Sequence, residues 1–113
     1  MGDHLQVSTA TESRATAIEL ARSVVSARLA AGAQIIGPVT SLFWHKGEFG
    51  MGEEWQILFK IRADHYADLE RYLLQNHPWE KPEITAVPIV AGAEAYLDWI
   101  EATTAPASIK SDD

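Results

Sequence analysis

The sequence predicts a single α+β domain of the ferredoxin-like, split βαβ type. Its antiparallel sheet follows the order βαββαβ, with helices on one face and one added C-terminal helix. Three observations carry this prediction. Apolar residues alternate at period two near residues 4–10 and again over residues 54–62. They recur at helical spacing around residues 17–29 and 66–73, and the two kinds of segment succeed one another in the order this architecture needs. With 113 residues, 47% of them hydrophobic, the chain supports one core without staples. The domain is expected to span 1–113, ordered over about residues 4–102.

The first strand follows from HLQVSTA at residues 4–10, where Leu5 and Val7 share a face. A Thr/Ser-rich start leads into a long amphipathic helix. Ile18, Ala21, Val25 and Leu29 form its stripe, Ala17 and Val24 lie beside it, and Gly32 serves as its stop. Residues 33–46 are rich in Ile, Val, Thr, Phe and Trp and are interrupted by Gly37 and Pro38, which predicts a strand with an early bend or bulge. Phe49, Gly50, Met51 and Gly52 are assigned to the following turn. Trp55, Ile57, Phe59 and Ile61 then give the next strand one strongly apolar face, so the two strands make a long hairpin. Asp64 is placed as the cap of a second helix, with Tyr66, Leu69 and Leu73 inward, ending before Pro78. Residues 84–90 read as the last strand. Residues 93–102 read as a closing helix with Tyr96, Trp99 and Ile100 on one stripe and Trp99 in the core. The polar residues 103–113 are expected to form a loose tail.

Composition narrows the chemistry. The absence of cysteine excludes disulfides, thiolate metal sites and redox work at sulfur. A formal charge of -7, with nine basic against sixteen acidic residues, sets the protein against nucleic acid and anionic membrane surfaces as partners. No apolar run approaches the roughly 20 residues that span a bilayer, and no charged segment leads into an apolar one, so a cytoplasmic protein is expected. Several serines are present without a nucleophile elbow, there is no HExxH, and no carboxylate pair has a catalytic spacing, so no enzyme is expected.

The segment HPWEKPEI at residues 77–84 concentrates the remaining chemistry. Pro78 and Pro82 restrain the backbone around a short turn that gathers an imidazole, an indole and two carboxylates. His77 reads either as a helix-end cap or as a metal ligand for copper, zinc or nickel. Glu80 and Glu83 read either as a solvated turn or as oxygen donors to a harder cation. Trp44 and Trp55 lie on the two arms of the hairpin, where they would fix register if they meet and would suit a subunit interface where exposed.

This segment resembles the HPYxxPEI signature of the CutA family of divalent-cation tolerance proteins. RLAAGAQI (residues 28–35) is similar to the family's RLAACxNI, VTSLFWHKG (39–47) to its TSxYxWxG, and AYLDWI (95–100) to a further family segment. The resemblance implies a homotrimer engaged in divalent metal ion (copper) tolerance, acting by binding rather than catalysis. It also implies a copper site made from a cysteine on the first strand and two adjacent histidines. The matching positions here are Ser8, Asn76 and His77, so His77 alone carries over, and any metal is expected to be weakly held Cu, Zn or Ni rather than a required cofactor. The resemblance further points to Glu83 and Lys60 as residues lining an intersubunit cleft, with Trp79 in place of a family tyrosine and Glu80 beside it. Two other readings stay open: a trimeric small-molecule sensor similar to the nitrogen-regulatory proteins, and an intersubunit-cleft enzyme resting on Lys60, His77 and Glu83.

Overall fold

The computed structural model describes residues 3–104. Four strands, β1 (His4–Thr11), β2 (Gly32–His45), β3 (Glu48–Arg62) and β4 (Thr85–Pro88), form one sheet in the order β2-β3-β1-β4, with every neighbour antiparallel. Helices α1 (Arg14–Ser26) and α2 (Tyr66–Asn76) cover one face, and α3 (Glu94–Thr103) closes the chain. This is the predicted split βαβ arrangement.

The core lies between that face and the two helices. Val7, Ile57, Phe59 and Ile61 from the sheet meet Ala17, Leu20, Val24, Leu69 and Leu73 from the helices, all buried. Each large side chain among them contributes roughly 1.5–3 kcal/mol by leaving water. The inner stripe of α1 runs through Ala17, Leu20, Ala21 and Val24, which turns the helix slightly from the stripe expected through Ile18 and Val25, both only half-buried.

Helix α1 starts at Ser13, whose hydroxyl oxygen accepts the Thr16 N–H at 3.1 Å. It stops earlier than expected, and without glycine. Arg28 takes the left-handed conformation (φ 63°), its N–H donates to Val25 O, and the Leu29 N–H donates to Val24 O, so the last carbonyls are satisfied by a Schellman motif. Gly32 instead opens β2, where an added Cβ would come within 3.2 Å of the Trp99 indole.

The hairpin turn also differs from the expectation. Lys46 and Gly47 both have positive φ (53° and 81°), the two-residue turn that matches strand twist, and His45 pairs with Glu48 beside it. Gly50 and Gly52 therefore belong to β3. The missing side chain of Gly50 clears the Phe43 ring, which would stand 2.8 Å from a Cβ there. A bulge separates Ile36 from Val39, so that Gly37 and Pro38 together face Trp55. Trp44 and Trp55 do not meet. Trp44 packs edge-on against Phe49, with ring centroids 5.6 Å apart, and Trp55 lies against Gly37.

Asp64 does not cap α2. It sits in a short 3-10 turn (Ala63–His65), and the Arg62 guanidinium donates to both of its carboxylate oxygens at 3.0 and 2.7 Å. That contact holds the Asp64 carboxyl below its ordinary pKa. On α2 itself, burial first and then the hydrogen bond to Glu70 push the Tyr66 phenol upward.

Helix α3 packs where the sequence does not anticipate. Its Ile100 is buried, yet Trp99 is 44% exposed rather than in the core. The indole lies over Gly32, and Glu101 reaches Arg62 and His4. Gly32 pairs with Lys60, so by strand alternation these residues occupy the face opposite Phe59 and Ile61. Helix α3 thus braces the far end of the second face. Arg28 joins in by donating from its guanidinium to Thr103 O at 2.7 Å. Of the expected tail, Thr103 is helical and Thr104 is buried, with its hydroxyl on Ile100 O; residues 105–113 lie outside those described.

Candidate functional site

The hairpin outruns the sheet. The β1 pairing ends at Thr11 with Trp55, and beyond the bulge seven pairs, from Val39–Glu54 to His45–Glu48, form a two-stranded ribbon with no third strand among the described residues. At about 3.3 Å per residue it projects roughly 20 Å, which makes the molecule elongated, 52 × 30 × 23 Å. Alternation gives the ribbon two unlike faces. Leu42, Trp44, Phe49 and Met51 share one, and each is at least 60% exposed. Ser41, Phe43 and Glu54 share the other, where the Ser41 hydroxyl donates to the Glu54 carboxylate at 2.9 Å.

An open groove of about 1030 Å³ runs between the ribbon and the turn that follows α2. Trp79, Glu80, Lys81 and Glu83 form one wall. The three carboxylates of Glu54, Glu80 and Glu83 outnumber the ammonium groups of Lys46 and Lys81, and Phe43, Trp44 and Trp79 supply apolar surface. The groove can therefore accept a cationic or partly apolar guest better than an anion.

The structure brings together Trp79, Glu80 and Glu83 as expected neighbours and adds Ser41, Phe43, His45 and Glu54, which sequence reading missed. Their signal was the period-two pattern across residues 39–45, hidden by placing the turn three residues late. Lys60 does not line the groove. It lies on the second face of the sheet, paired with Gln6 and Gly32, so Lys60, His77 and Glu83 do not converge within one chain.

His77 sits at the C-cap of α2, buried, with its N–H on Leu73 O at 2.8 Å. Its ring bridges two backbone groups. The Trp79 N–H donates to Nδ1 at 3.0 Å, and Nε2 lies 2.7 Å from Ala10 O. A carbonyl oxygen can only accept and an N–H can only donate, so Nε2 carries the proton and Nδ1 offers the lone pair. The Trp79 indole leans on the imidazole with centroids 5.1 Å apart.

The positions that the family resemblance would assign to copper do not fit a common site in this chain. Ser8 falls between Val7 and Thr9 and turns to the face away from α1 and α2. Asn76 donates its amide to Tyr72 O at 2.8 Å from an exposed position. His77 has both ring nitrogens engaged. Among the described residues, no three His, Cys, Asp or Glu side chains gather closely enough to hold a metal. No described helix is long and apolar enough to cross a membrane.

Comparison with known proteins agrees with the geometry of the fold. Residues 5–103 match the family described as CutA1 divalent ion tolerance protein. The chain is 36% identical to the divalent-cation tolerance protein CutA of Yersinia pestis, over 79% of this chain and 75% of that one. Among solved structures, CutA1 from a psychrotrophic Shewanella superposes with a TM-score of 0.89 at 28% identity, covering 93% of this chain and 98% of the other. The periplasmic divalent cation tolerance protein CutA of Archaeoglobus fulgidus gives 0.86 at 29%, covering 89% and 98%. The chain belongs to the CutA1 family of divalent ion tolerance proteins.

Proposed function

We propose that this protein serves copper and related divalent-cation tolerance as a cytoplasmic homotrimer that binds rather than turns over its ligand. The observation that carries the assembly is the unsupported ribbon. An isolated two-stranded hairpin is at best marginally stable in water, and this one presents Leu42, Trp44, Phe49 and Met51 side by side on one face. Closed threefold association covers that face and shortens the free strand edges. The acid-rich groove beneath the ribbon then lies where neighbouring chains approach, which suits capture of a cation without a reacting group. The reading needs no resident cofactor; a borderline divalent ion enters as the thing sensed or held.

A complementation assay tests this. A host lacking its own member of the family should regain growth in copper when supplied with this chain, while Trp44→Glu should fail to restore it. Equal copper sensitivity with and without the chain sinks the functional proposal. Cell fractionation tests the location separately.

A further inference from the structure

We infer that His77 is a positioning residue fixed as the Nε2–H tautomer, and that cation binding in this chain does not pass through the signature histidine. Coordination needs a nitrogen lone pair. The Nδ1 lone pair is taken by the Trp79 N–H, and Nε2 spends its proton on Ala10 O. To bind a metal, the ring must surrender one of these bonds and leave unpaired either the buried Ala10 carbonyl or the part-buried Trp79 N–H, and His77 itself is only 8% exposed. The two positions that would have to supply the other donors are directed elsewhere: Ser8 to the far face of the sheet and Asn76 to Tyr72 O.

What the ring does instead is set a wall of the groove. Ala10 lies near the end of β1, and Trp79 begins the turn that carries Glu80 and Glu83. Between them His77 joins the central strand to the groove wall, with Pro78 restricting the backbone of the short link. An alanine here would free the turn from the sheet while leaving the helix stripe of Leu69 and Leu73 in place.

Nitrogen-15 spectra of histidine-labelled protein read the tautomer directly. His77 should show a protonated Nε2 and a lone-pair Nδ1, and both signals should stay in place when zinc chloride is titrated in excess. Amide exchange supplies the second readout. In His77→Ala the Trp79 amide should exchange at least tenfold faster than in the wild type. His77→Asn puts a carbonyl oxygen where Nδ1 stood and should recover most of that protection; His77→Gln reaches Ala10 O but should not. A zinc-induced coordination shift at either His77 nitrogen overturns the inference, as does unchanged Trp79 exchange in His77→Ala. Should the alanine variant fail to fold, the wild-type spectra with and without zinc decide alone.

Discussion

The same substitution at Trp44 and at Trp55 should have opposite consequences, although both indoles stand on one hairpin. Trp44 is 73% exposed in the single chain. A tryptophan carries roughly 150–250 Å² of buriable surface, so roughly 110–180 Å² of this indole stays in water until another chain covers it. At about 25 cal/mol per Å², that is about 3–4.5 kcal/mol per copy, or about 9–13 kcal/mol over three copies. Even a third of this total corresponds to about a hundredfold to a thousandfold in a dissociation constant. Trp44→Glu removes the gain and adds a charge that association would have to desolvate. Within its own chain the aromatic contact it loses is the edge-on one with Phe49, about 0.5–1.5 kcal/mol. Trp55, in contrast, packs on the core margin and against Gly37, and a carboxylate there should cost on the order of 3–5 kcal/mol of folding stability, as large core truncations do. Sedimentation across a dilution series, paired with urea unfolding followed by circular dichroism, separates the two effects. Trp44→Glu should dissociate at concentrations where the wild type does not and keep its secondary structure, whereas Trp55→Glu should unfold at lower urea. If Trp44→Glu kept the wild-type mass at every dilution, the interface argument would fail.

Three further outcomes follow from local geometry. Gly37→Ala drives a Cβ into the Trp55 ring and should cost about 1–3 kcal/mol in chemical denaturation; the cost should shrink when Trp55 is also changed to leucine, and equal costs in both backgrounds would refute the contact. At Arg28, held in the left-handed region, glycine should be more stable than alanine by about 1 kcal/mol, since both lose the bond to Thr103 O and only alanine keeps the steric penalty. Asp64 has its carboxyl pKa lowered by Arg62, so its contribution is fully present above the unfolded carboxylate range and is lost as pH falls through the lower folded value. The stability difference between wild type and Asp64→Asn should therefore be constant near neutrality and close at acid pH, and a difference that instead widened on acidification would contradict the pairing.

Most of the scaffold was legible because its signals are periodic and local. The alternation of Trp55, Ile57, Phe59 and Ile61 fixes β3 and its inner face, and Leu69 and Leu73 fix the buried side of α2. What escaped depends on contacts distant in sequence or on a glycine whose purpose is ambiguous. Gly50 and Gly52 look like turn residues, but both lie within β3, where Gly50 leaves room for Phe43 on the opposite strand, while Lys46 and Gly47 make the turn. Gly32 looks like a helix stop, but it makes room for Trp99, 67 positions later, while a non-glycine residue, Arg28, ends the helix. The helical stripe that suggested a core Trp99 was real, but α3 lies on the second face of the sheet, where only Ile100 is enclosed. For the candidate site, the turn residues Trp79, Glu80 and Glu83 were visible in the signature. The ribbon wall was not, since Ser41 and Glu54 become neighbours only once the register is known. His77 was open to two readings because a cap and a ligand have the same sequence appearance, and neither reading contained the bridge its ring makes between Ala10 O, 67 positions away in sequence, and the Trp79 N–H.

The mass of the unmodified protein in solution tests the central claim most directly. One chain weighs 12.4 kDa. Light scattering on the eluting protein should return about three times that value, constant across the peak and on dilution through the micromolar range, because it is the proposed trimer that would cover the ribbon's apolar face. A steady mass of one chain under the same conditions, with the protein folded and soluble, would contradict the account.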